Sequence, residues 1–223
     1  MEHLIRFFTN PDHVWQFLYG QLNMFPAVYY IYTDEYGRLD SHEGAISQAA
    51  WMNIETPIYC MSRINDDFNG DLQINKRLVT AFCEDGGYAV IVEKAEFIDC
   101  MREIADNKRF IAGEVTYDLD IRELPQTMPS KLPELERVLL RKEPKFAYQG
   151  EYRFAYPDAN DTYWPLESEW YKVPWKPTLL TSPKSVRVIR IPPANKITGD
   201  YLPVNISNEP NPLRGEWFLK PRD

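Results

Sequence analysis

Cysteine and histidine are scarce in these 223 residues, with three of each. Cys60, Cys83 and Cys100 are odd in number and have no paired spacing. They read as buried thiols in a reducing compartment, not as a disulfide frame. His3, His13 and His42 lie far apart, with neither an HExxH pattern nor a Cys/His spacing suited to zinc, so no metal is expected. Asn65-x-Asp67-x-Asn69-Gly70 opens like a calcium loop, but Lys76 stands where the closing bidentate Glu is needed. GxxxxGK, GxGxxG and GxSxG are all missing, which removes the common P-loop, kinase, Rossmann and hydrolase readings. No run approaches the roughly 20 apolar residues needed to span a membrane. The opening Met1-Glu2-His3-Leu4-Ile5-Arg6 has no basic region followed by an apolar run. A soluble, cytoplasmic protein without a membrane partner is expected, with the sequons at Asn160 and Asn205 unused. No Lys/Arg stripe occurs either: 25 Lys and Arg face 33 Asp and Glu, a net charge of −8. Extended nucleic-acid binding is therefore not expected, since a phosphate backbone is held by clustered cations.

What is present suits a packed core. The apolar fraction is 44%, with 14% aromatics, and the length fits one domain. Asn10-Pro11-Asp12 is a helix start, and Val14, Phe17 and Leu18 give a short helix that ends at Gly20. Ala27–Thr33 reads as a strand running into a turn at Asp34–Arg38, and Pro57–Ser62 as a second strand. A polar loop over 65–71 leads to a helix over 74–83. Gly86-Gly87 then punctuates the chain before the apolar run Tyr88–Val92, the clearest buried strand. A helix over 94–106, a strand over 110–117, a helix over 133–142 and a strand over 148–156 follow. Only three of the 18 prolines precede residue 125. The expected architecture is thus α+β, with a central mixed or antiparallel sheet and flanking helices over 1–156. Residues 157–223 would form a Pro-rich extension wrapped on that core, with a strand over 185–191.

Two polar constellations stand out. Asp34, Glu35, Asp40 and Glu43 gather around Arg38. This is either a solvated turn or, through Asp40 and Glu43, a substrate-positioning group. Gln149-Gly150-Glu151-Tyr152-Arg153 is the sharper one. In an extended strand Gln149, Glu151 and Arg153 share a face opposite Tyr148, Tyr152 and Phe154. That pattern is ordinary for a half-buried strand. It also suits cleavage of a nicotinamide–ribose bond, where Glu151 would stabilise an oxocarbenium-like ribose and Gln149 would orient the acceptor.

Several ordered segments carry a resemblance. They are Ile5-Arg6-Phe7-Phe8, Phe17–Met24, Tyr29-Tyr30, Arg38–Gly44, Pro57–Cys60, Tyr88–Val92, Val115–Tyr117 and Lys145–Phe154. Over roughly 4–156 the chain resembles a family of poorly characterised bacterial and phage proteins to which an ADP-ribosyltransferase-like fold is attributed. The resemblance implies NAD or a related nucleotide as ligand and a protein or nucleotide as target. Gln149-x-Glu151 matches the late catalytic element, and Arg6 is the candidate for the early dinucleotide-binding residue. The family's middle Ser-Thr-Ser is missing, leaving Tyr29 or Tyr30 to stack on nicotinamide and Arg153 to help position substrate. A second reading, from a different class, is a non-catalytic acidic interaction protein, for example phage-encoded, that binds and inhibits a host factor. It draws on the aromatic, acidic stretch Tyr163–Trp175.

Overall fold

The computed structural model describes residues 2–18, 21–26, 56–64, 71–105, 109–119, 132–156, 171–174 and 186–204. They form an α+β structure whose registered strand ladders are antiparallel. By compactness the chain divides into two units. One comprises Met1–Gly20, Arg63–Phe97 and Lys176–Asp223, and the other Gln21–Ser62 and Ile98–Trp175. No helix among the described residues is long and apolar enough to cross a membrane.

The first unit is built on β1 (His3–Phe8), β5 (Gly87–Glu93) and β9 (Val186–Ile191), with β5 paired to both of the others. The run Tyr88–Val92 is indeed a strand, and Ala89, Val90, Ile91 and Val92 are all buried. Consecutive apolar residues suit a strand covered on both faces. Phe17 of α1 (Pro11–Leu18) packs against Phe8 and Phe97, with ring centroids 5.9 and 6.0 Å apart. Phe82 of α2 (Lys76–Cys83) stacks on Phe7 at 6.0 Å. Because Phe7 and Phe8 point to opposite faces, one helix covers each side of β1. The Asn10 side chain accepts from the Asp12 N–H at 2.9 Å, so the sequence reading of this helix start holds. The Gly86-Gly87 punctuation has a steric cause. A Cβ on Gly87 would lie 2.5 Å from the Phe8 carbonyl oxygen and 2.7 Å from Cys83 Sγ. The helix expected over 74–83 starts later: β4 (Leu72–Asn75) pairs with β10 (Tyr201–Val204), and Asn75 caps α2.

In the second unit β7 (Glu151–Ala155) lies between β3 (Pro57–Ile64) and β6 (Ile111–Glu114). β2 (Gln21–Pro26) pairs with β3 and with β8 (Tyr171–Pro174). α3 (Lys94–Ala105) contributes Met101, whose carbonyl accepts from the Tyr156 hydroxyl at 2.8 Å. Gly113 of β6 leaves room for Leu140, since a Cβ there would approach Leu140 Cδ1 to 2.5 Å.

Three further expectations need correction, and all bear on the site. The strand expected over 110–117 is β6 alone and ends at Glu114. The strand expected over 148–156 is shorter. Pro144–Gln149 is a 3-10 helix, Gly150 stops it in the left-handed region at φ 50°, and β7 begins only at Glu151. Gln149 therefore does not share a strand face with Glu151. Nor does β7 turn a polar face to solvent, for all five of its residues are buried. The helix expected over 133–142 is α4 (Leu132–Leu139). It ends early because Arg141 bridges to Thr116, pulling 140–142 into extended pairing. The strand and turn read over 27–38, the polar loop over 65–70 and most of the Pro-rich segment fall outside the described residues.

Candidate functional site

Glu151 is the centre of a buried polar network. Only 5% of it is exposed, against 6% of Lys142, 2% of Gln149 and 1% of Arg153. One carboxylate oxygen accepts from Arg153 Nε and the other from Lys142 Nζ at 3.1 Å. The Cys60 thiol also donates to this carboxylate, and Cys60 stands opposite Arg153 in the β3–β7 register. Lys142 Nζ reaches Gln149 Oε1 at 3.1 Å and sits 4.8 Å from the centre of the Phe146 ring. A cation over an aromatic face gains electrostatic stabilisation in such a dry setting. Arg153 Nη1 donates to the Leu139 carbonyl at 2.6 Å, at the last residue of α4. That position suits a guanidinium, because helix C-termini carry unsatisfied carbonyls and partial negative charge.

The electrostatics follow from this packing. Burial alone would push the Glu151 carboxyl up. Arg153 and Lys142 outweigh that and hold it well below the usual carboxylate range. Two cations and one anion leave the cluster one positive charge in excess. Tyr117 completes the cluster: its hydroxyl oxygen accepts from the Glu151 N–H at 2.6 Å. Burial, assisted by the nearby Glu151 carboxylate, pushes the Tyr117 phenol up to about 12.

The segment bearing Tyr117 has a second side. Val115 and Leu119 are buried, whereas Glu114, Thr116 and Asp118 are exposed. These three, with Glu136, Arg137, Leu140 and Arg141, line an open cleft of about 630 Å³. Asp118 is locked to Arg141, with Nε 2.8 Å from Oδ1 and Nη2 2.9 Å from the Asp118 carbonyl. The Thr116 N–H donates to the Leu140 carbonyl at 2.8 Å, and the Lys142 N–H donates to the Thr116 carbonyl at 3.0 Å. Neighbouring residues thus serve different sides. Arg141 lines the cleft, while Lys142 enters the buried network.

Comparison with protein-family models, curated proteins and solved structures returns no match. The site is read from its own geometry.

Of the residues singled out in the sequence, Gln149, Glu151 and Arg153 do come together. Glu151 and Arg153 meet as alternate residues of β7, whereas Gln149 is joined to Glu151 through Lys142. Arg6 is half-buried in the middle of β1, opposite Val90. Tyr29, Tyr30, Asp40 and Glu43 lie outside the described residues. Lys142, Tyr117 and the cleft were not found by sequence reasoning. A signal for Lys142 existed: a carboxylate and an Arg two residues apart in an aromatic strand imply burial, and buried charge needs counter-charge nearby. No such signal marked the cleft, whose walls are about 20 residues apart in sequence. Among the described residues no group of three or more His, Cys, Asp or Glu side chains is placed to hold a metal ion.

Proposed function

We propose that this protein acts by binding. It is an acidic interaction protein whose open cleft takes a basic, extended segment of a protein target, as a phage-encoded inhibitor of a host factor would. One observation carries this reading: both Glu151 oxygens are engaged in the interior, while the separate segment bearing Tyr117 turns Glu114, Thr116 and Asp118 outward into a cleft. The lining holds three carboxylates and two guanidiniums, a balance of −1, in a chain whose net charge is −8. Glu114, Thr116 and Asp118 stand at two-residue intervals. Glu114 and Asp118 carry the charge of this row, Asp118 shared with Arg141, and the Thr116 hydroxyl lies between them, a polar row that suits an extended ligand with basic side chains.

The test is fluorescence anisotropy with an alternating lysine–serine heptapeptide, using a glutamate–serine peptide as control. Saturable, salt-sensitive binding is expected for the basic peptide only. The triple variant Glu114→Gln, Asp118→Asn, Glu136→Gln should weaken it by on the order of tenfold, because each exposed pair contributes about 0.2–1 kcal/mol. Equal affinity for the variant would remove the cleft from the proposal.

The gathering of Gln149, Glu151 and Arg153 favours a second reading, in which the fold is ADP-ribosyltransferase-like and the ligand is NAD. Glu151 would act on the ribose and Gln149 on the acceptor. This role requires Lys142 to leave the carboxylate when the dinucleotide binds. A ligand at about 100 times its Kd stabilises the native state by about 2.7 kcal/mol, so NAD in excess should raise the Tm by several degrees. An unchanged Tm would end the NAD reading and leave the binding reading intact.

A further inference from the structure

We propose that the Lys142–Glu151–Arg153 network is a positioning device that backs the direct backbone bonds between the two walls of the cleft and keeps them in register, with Glu151 joined to both walls. The proposal rests on the cleft being the binding surface and adds the groups that set its shape.

The first wall is the segment bearing Glu114, Thr116 and Asp118. It is attached to the main chain of Glu151 on both sides of Thr116: the Val115 N–H donates to the Glu151 carbonyl at 2.9 Å, and the Glu151 N–H donates to the Tyr117 hydroxyl at 2.6 Å. The second wall is the end of α4 with the residues that follow, bearing Glu136, Arg137, Leu140 and Arg141. It is attached to the side chain of Glu151 by two routes. Arg153 joins the carboxylate to the Leu139 carbonyl, and Lys142 joins it directly to the strand that leaves the helix. Each route ends within one residue of a cleft-lining side chain, Leu140 in one case and Arg141 in the other.

Stability does not explain the choice of these groups. A buried ion triad contributes little beyond what well-packed apolar residues of the same volume would contribute, and often less. Directional hydrogen bonds do something that apolar packing does not: they define one relative placement of the pieces they join. The arginine is also specific in its geometry. Its fork serves a carboxylate and a helix-end carbonyl at once, whereas an ammonium is a single point charge.

The test compares the wild-type protein with an apolar replacement, Lys142→Met, Glu151→Leu, Arg153→Met, and with Arg153→Lys. Each is measured for Tm, for hydrogen exchange at the amides of Thr116, Leu119 and Lys142, and for anisotropy with the lysine–serine peptide. The apolar variant is expected to remain folded with a Tm close to wild type. Its three wall amides should exchange at least about tenfold faster, and its peptide affinity should fall about fivefold or more, because local opening is separable from global stability. Arg153→Lys should fall between the two. A folded apolar variant with unchanged exchange and affinity overturns the proposal. So does unfolding of both variants, which would assign the network to stability alone; if only the apolar variant unfolds, Arg153→Lys decides by the same readouts. If the wild-type protein does not bind the peptide, the reading of the cleft fails. The exchange measurement still decides whether the network holds the walls.

Discussion

β5 and β7 are central strands of their respective units, and both are buried along most of their length. β5 reaches that state with Ala89, Val90, Ile91 and Val92, which need nothing but apolar neighbours. β7 reaches it with Glu151 and Arg153 among Tyr152, Phe154 and Ala155, and depends on groups brought from elsewhere: Lys142, Gln149, Cys60 and the Leu139 carbonyl. Burial of an apolar side chain is non-directional and forgiving, contributing about 1.5–3 kcal/mol per large residue. Burial of a charge is costly unless each oxygen and each N–H finds its partner, and then the partners are held in definite places. A strand of the first kind supplies stability. The second kind supplies geometry, and in this molecule the geometry lies directly behind a cleft.

The largest expected contrast comes from deleting one side chain in each strand. Glu151→Ala leaves Lys142 and Arg153 buried without their carboxylate and should cost about 3–5 kcal/mol in a denaturant titration. Ile91→Val in β5 should cost about 0.5–1.5 kcal/mol. Equal losses would mean that the ion network is no more demanding than ordinary packing.

A smaller effect is expected at Tyr117→Phe. It removes the acceptor for the Glu151 N–H and should cost about 1–3 kcal/mol, the penalty of a buried donor left unsatisfied. The same variant sharpens the comparison at alkaline pH. The Tyr117 phenol is raised in the folded state to about 12, above its unfolded value of about 10. Its contribution is therefore complete below about pH 10 and is lost as pH rises through the folded value. Tyr117→Phe should flatten that alkaline loss.

The smallest expected difference is in acid. The folded pKa of Glu151 lies below its unfolded value, which is about 4.3. The stabilisation is thus present above that pH and declines as pH falls towards the folded pKa. Glu151→Gln, less stable at neutral pH, should show a shallower decline below about pH 4.3 than the wild-type protein. β5 has no buried ionisable group to titrate in this way, so Ile91→Val should keep the wild-type acid slope.

Much of the first unit is legible in its amino-acid sequence. Asn10-Pro11-Asp12 announces α1, the glycine pair announces the turn into β5, and the run Tyr88–Val92 announces a strand covered on both faces. These are local signals, carried by propensity and by an apolar pattern a few residues long. The strand–helix boundary at Asn75 escapes such reading because Leu72–Asn75 is too short for a pattern, and its partner β10 lies more than 120 residues away. The candidate site is half legible. Gln149, Glu151 and Arg153 stand out as a group, but the strand expected to align them starts at Glu151.

By itself the sequence determined an α+β chain with an apolar central strand, a net negative charge and a polar cluster around Glu151. Tertiary structure alone decided that this cluster faces inward, that Lys142 and Tyr117 complete it, and that Glu114, Thr116 and Asp118 open on a cleft. The reason is physical. An apolar run carries its preference for the interior in its own atoms, whereas a charged residue takes its place from partners that only folding brings within hydrogen-bonding distance.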